Sequence, residues 1–161
     1  MTYESIYTNI RTTAERGITY AAIETLLDAL YKKSTDFNQL IETEMPHALV
    51  RPVKQQLTKL RDPSPQGIQF YLEGLREALG ALATLSLEIA FDPTEETLSV
   101  LTAWIREHLG ANIIMEISVD RSIFGGARVS YAGRYKEINL AILIENAMRQ
   151  QKESIEYMLV Q

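Results

Sequence analysis

Apolar residues recur every three or four positions along most of this chain, and the period shortens to two only after residue 110. Tyr3, Ile6, Tyr7, Ile10 and Ala14 trace a first helical stripe, which Gly17 is expected to stop. Ile23, Leu26, Leu27 and Leu30 trace a second, and Phe37, Leu40, Ile41 and Met45 a third that Pro46 ends. Val50, Val53, Leu57 and Leu60 make a fourth, with Pro52 placed in its first turn, where a missing N–H costs little. "RDPSPQG" then punctuates the chain, and Ser64 with Pro65 reads as the cap and first residue of a further helix. Ile68, Leu72, Leu75, Leu79, Leu82, Ser86 and Ile89 extend that helix on one face as far as Ile89. Five helical segments of this kind predict an N-terminal bundle.

In "FDPTEETLSVLTAWIREHLG" the pattern predicts Asp92 as N-cap, Pro93 as first residue and Glu95 as the return partner of a capping box. Leu98, Leu101, Ile105 and Leu109 face one way, and Gly110 suits the position after the helix. Ile113, Met115, Ile117 and Val119 then alternate with Ile114, Glu116 and Ser118, which is strand spacing. Ala127, Val129 and Tyr131 alternate in a second strand, and 134–138 adds a short third after a tight turn at Ala132-Gly133. Leu140, Ile144, Ala147, Gln151, Ile155 and Met158 predict a final helix, with Asn139 as its cap. The expected fold is α+β and mostly α. A helical bundle over 1–90 precedes a small domain over 91–161, with a two- or three-stranded sheet flanked by helices.

Composition narrows the function. The net charge of −5 argues against nucleic-acid binding as the main activity, and the absence of cysteine excludes disulfides and thiolate metal sites. Arg51, Lys54, Lys59 and Arg61 form a local basic run that reads as a solvated helix face. No N-terminal apolar core of the signal-peptide type appears. The most apolar window, 79–91, contains Glu88 and is shorter than the roughly 20 residues a spanning helix needs. The chain is therefore expected to be soluble by itself.

The candidate chemistries are weak. A Gly125-Gly126 loop suggests a phosphate cradle, but such cradles lead into a helix and this one leads into a strand. Ser122, His108 and Asp120 are the residue types of a nucleophilic triad without an elbow motif. Glu107, His108, Glu116 and Asp120 lack metal-ligand spacing. His47 reads as a loop residue and Trp104 as a core or interface anchor. The double glycine is better explained by shape. It lets the backbone take φ > 0 or pass close to another element, while Asp120 caps the turn through backbone N–H groups two or three residues on. Ile123 and Phe124 at the tip are either folded into the core or exposed to a partner.

The stretch "ANIIMEISVDRSIFGGARVSYAGRYKEINL" resembles the signature of the delta subunit of F-type ATP synthases, the oligomycin sensitivity conferral protein family. Asp120, Ile123, Gly125, Gly126, Val129 and Gly133 occupy matching places, within a similarity running from Ile89 to Ala147. Arg121 stands where members often have Pro, and Ile123-Phe124 where they commonly have Leu-Ile. The family's six-helix N-terminal bundle is matched poorly.

The resemblance implies a non-catalytic stator subunit without cofactors, on the cytoplasmic face of the membrane as part of a peripheral complex. Its N-terminal bundle would bind the N-terminal helices of the synthase α subunits, and its second domain the b-type peripheral stalk. Contact candidates on the bundle are Tyr3, Ile6, Tyr7, Ile10, Leu75, Leu79 and Leu82. On the stalk side they are Ile123, Phe124, Ile155, Met158 and Leu159. The alternatives are a free-standing cytosolic α+β binding module or a helical adaptor unrelated to the synthase.

Overall fold

The computed structural model describes residues 3–32, 36–123 and 125–138. Among them are six helices and four strands, giving the α+β, mostly helical fold. The expected final helix, with Ile155, Met158 and Leu159, lies outside the described residues, and so does Phe124.

The helices differ from the sequence expectation mainly in where they start and stop. The first stripe splits into a short α1 (Glu4–Tyr7) and the beginning of α2 (Thr13–Ala29). Gly17 does not stop α2. The start is fixed instead by a capping box, in which the Thr12 hydroxyl accepts from the Glu15 N–H and the Glu15 carboxylate accepts from the Thr12 N–H. One interior glycine costs a helix about 1 kcal/mol, which a cap and a buried apolar face outweigh. Asp36 caps α3 (Phe37–Glu44) by accepting from the N–H groups of Asn38 and Gln39. In α4 (His47–Leu57), His47 is the first helical residue rather than a loop residue, so Pro52 falls inside the helix and not in its first turn. Ser64 and Pro65 begin α5 (Pro65–Gly80) as expected.

The larger correction concerns the end of α5. The helix stops at Gly80, and β1 (Ala83–Ile89) follows. Leu82, Ser86 and Ile89 fit a helical face, but Leu85, Leu87 and Ile89 also alternate with Thr84, Ser86 and Glu88. The strand period wins because β1 is the central partner of a sheet ordered β2-β1-β3-β4. It pairs in parallel with β2 (Ile113–Val119) and antiparallel with β3 (Ala127–Tyr131), which pairs in turn with β4 (Arg134–Ile138). The sheet is thus four-stranded and mixed rather than two- or three-stranded. Parallel strands need a crossover, and α6 (Glu95–His108) supplies it. Its N-cap is Thr94, whose hydroxyl accepts from the Thr97 N–H; Asp92 and Pro93 precede it.

Register assigns the two faces of the sheet. Leu85, Leu87, Ile89, Ile113 and Met115 pack against Ile105 of α6, with Val129 and Tyr131 at the margin. On the opposite face Ile114 joins the bundle core of Ile6, Ile10, Ile23, Leu26, Leu72, Leu75 and Leu79. Each such side chain contributes about 1.5–3 kcal/mol on full burial.

The segment between α1 and α2 fastens the helical part to the sheet. The Met115 N–H donates to the Arg11 carbonyl at 2.8 Å, and Thr12 bridges Met115 in parallel. Arg11 also pairs with Glu15 at 2.6 Å and Glu95 at 2.8 Å. β1 lies on the N-terminal side of the expected boundary at residue 90, yet belongs wholly to the sheet.

Candidate functional site

The stretch singled out in the sequence forms the β2–β3 turn and the polar face beside it. β2 runs out at Val119, and the Asp120 N–H still donates to the Ile89 carbonyl at 2.9 Å. Asp120 then organises the turn. Its Oδ1 accepts from the Ser122 N–H at 2.9 Å and the Ser122 hydroxyl at 2.6 Å, and its carbonyl accepts from the Ile123 N–H. These Ser122 donors, assisted by Arg128, hold the Asp120 carboxyl below its ordinary pKa. Gly125 has φ +63, in the left-handed region that favours glycine.

Arg128 is the hub of the polar face. Its guanidinium donates to Glu88 at 3.1 Å and Asp120 at 3.2 Å, and stands 3.5 Å from Glu137. Register explains the convergence, because Glu88 is the β1 partner of Arg128 and Glu137 its β4 partner. The hydrogen bond to Glu88 leads in raising the Arg128 pKa. Ser86 and Tyr135 extend the face, donating to Glu116 at 2.9 Å and Glu137 at 3.1 Å. The result is a cross-linked ion cluster that ties the Asp120 turn to three strands.

The next hairpin is closed by two residues, Ala132 with φ 49 and Gly133 with φ +75, between the paired Tyr131 and Arg134. Positive φ at both loop positions matches the twist of the flanking strands.

No family model matches the chain, and no curated protein matches it. Among solved structures it is similar to a chain of the Toxoplasma gondii mitochondrial ATP synthase hexamer, at 14% identity over 94% of this chain and 98% of that one. The TM-score is 0.34, a likeness too weak to equate the two folds.

The candidate triad is not assembled. Ser122 bonds Asp120 directly, while the His108 ring stacks on Trp104 at 4.7 Å and its Nδ1 lies 2.9 Å from the Trp104 carbonyl. Among the described residues no three His, Cys, Asp or Glu side chains gather to hold a metal. Nor is any helix there long and apolar enough to cross a membrane.

Most of the contact candidates on the bundle are buried side chains. Ile6, Ile10, Leu75, Leu79 and Leu82 are buried in the helical core, and Tyr3 and Tyr7 are half-buried against it. They belong to one apolar core and hold the bundle together, and Ile10 also lines a cleft of about 560 Å³ beside Arg11, Ile18 and Leu49. Ile123 is likewise buried, at 4% exposure, which resolves its alternative in favour of the core. The exposed apolar side chains are others, among them Ile18, Phe70, Val100 and Trp104.

Arg128, Glu88 and Glu137 were not singled out in the sequence. Each is an ordinary charged position in an alternating strand, and only the register brings them together. A helical period through 82–89 would take Glu88 out of the sheet, whereas β1 pairs it with Arg128.

Proposed function

We propose that this chain is a non-catalytic stator subunit of a rotary ATP synthase, joining the catalytic head to the peripheral stalk. The observation that carries the reading is the ordered series over residues 95–138. A helix leads to an apolar strand, an Asp-capped turn, a Gly-Gly pair, an alternating strand, a Gly-closed hairpin and a further strand. As far as the Gly133 turn, that order is the one by which the sequence resembles the delta-subunit family; β4 then stands between the turn and the point where the family pattern continues as a helix. A joining subunit needs a stiff frame between two attachment points and no reactive group. The Arg128 cluster, and the arm that fastens the sheet to the bundle, supply such stiffness.

In this reading the helical part faces the α subunits of the head and the sheet part faces the b-type stalk. The stalk-facing part begins at β1, at residue 83, rather than at 91. The experiment is affinity purification of the intact chain from its source cells, with the bound proteins identified by mass spectrometry. Head and stalk subunits should co-purify in fixed proportion. A chain recovered free of both would replace the stator reading with a free-standing α+β module.

A further inference from the structure

A cleft of about 610 Å³ opens between the end of α4 and the first turns of α5. Small-molecule sites typically occupy roughly 300–1,000 Å³. Gly67 makes its closed end possible. A Cβ there would run into the Asp62 carbonyl oxygen, so only glycine lets the 60–64 loop fold down on α5. The walls are the half-buried Leu60 and, beside the opening, Phe70, a residue 69% exposed.

Two features give the cleft a chemical preference. Lys59 and Arg61 stand on its rim, exposed, and neither makes an ion pair among the described residues. They close a run, 51–61, that holds four basic residues and no acidic one in a chain of net charge −5. Tyr71 also lines the cleft. It is 1% exposed, and its hydroxyl has no hydrogen-bond partner among the described residues. A buried phenol left unpaired is unusual and costly. The one carboxylate on the lining, Asp62, is engaged by its own loop, accepting from the Ser64 N–H at 2.9 Å.

We propose that this cleft binds an amphiphilic carboxylate, its apolar body lying on Phe70 and Leu60 and its anionic end held by Lys59 and Arg61. The Tyr71 hydroxyl is the remaining donor. This assignment is independent of the stator reading, because it uses neither the sheet nor any partner protein. An aromatic acid and a short acyl chain share the required chemistry.

The test is a titration of the intact protein with 1-naphthoate and with decanoate, followed by amide chemical shifts in ¹H–¹⁵N spectra. Inorganic phosphate and 1-naphthalenemethanol serve as the anion-only and apolar-only arms. At least one carboxylate should saturate with a Kd on the order of 1 mM or below, with shifts centred on 56–71. Whichever binds more tightly identifies the body as aromatic or acyl. Phosphate and the alcohol should bind at least about tenfold more weakly. The double substitution Lys59→Gln/Arg61→Gln should weaken binding by about tenfold at unchanged melting temperature. Tyr71→Phe, which keeps the core packing, should weaken binding without loss of stability. The proposal is overturned if neither carboxylate saturates, if the shifts centre elsewhere, or if the charge substitutions leave the affinity unchanged. A concentration-dependent dimer that buries the cleft would overturn it equally.

Discussion

Arg106 and Ile10, 96 residues apart in the chain, meet where the guanidinium of one donates to the carbonyl of the other at 3.1 Å. The same guanidinium donates to the carbonyls of Tyr7 and Thr8, so a cation from α6 caps the end of α1. Charge-assisted bonds of this kind contribute about 1.5–3 kcal/mol each, with losses that do not add fully. Arg106→Ala should therefore destabilise the fold by about 2–4 kcal/mol. Urea denaturation checks this, and a change under about 0.5 kcal/mol, the ordinary range of surface substitutions, would show the cap to be incidental.

The Asp120 turn carries a pH dependence of known sign. The folded-state pKa lies below its usual value of 3.8, through the Ser122 donors first and Arg128 second. The stabilisation is therefore present above pH about 4 and lost as pH falls through the folded-state value. Asp120→Asn should lower the melting temperature at neutral pH, and the gap from the parent protein should narrow in strong acid. A gap that stayed constant from pH 7 to pH 2 would contradict the assignment.

Ala132 occupies a position that favours asparagine or glycine. A non-glycine residue in the left-handed region costs on the order of 1 kcal/mol, and φ 49 places Ala132 there. Ala132→Asn is expected to raise stability by about 0.5–1 kcal/mol, because asparagine tolerates this conformation best among side-chain-bearing residues. Differential scanning calorimetry reads the shift directly, and a lower melting temperature would refute it.

The placement of β1 makes a sharp prediction about fragments. A piece spanning 91–161 lacks the strand that separates β2 from β3. A piece spanning 83–161 retains it. The longer fragment should show strand signal by circular dichroism and dispersed amide resonances, and the shorter one should not. Equal folding of the two would mean that β1 is dispensable to the sheet.

Much of this architecture is legible in the sequence, and its failures have local causes. Ser64-Pro65 and the alternation through 113–119 were unambiguous because cap chemistry and period agreed. At 82–89 the two periods overlap, and Ile89 satisfies both. Only the pairing of β1 with two neighbours decides between them, and pairing is not a local property. Gly17 resembles a stop by propensity alone, but Thr12 and Glu15 carry the stronger signal of a helix start. The Arg128 cluster was invisible for a different reason: its members come from three strands and a turn, so it exists only once the register does.

The arm that includes Ile10 and Arg11 is made first and secured late. As the chain leaves the ribosome, residues 3–12 emerge before α6 and β2 exist, and Arg106 and Met115 must be synthesised before the arm has its anchors. Until then the bundle holds an unfinished edge, and the order of synthesis runs opposite to the order of attachment. Sequence separations this large slow the closing step of folding. The final locking of the helical part to the sheet thus waits on the second half of the chain.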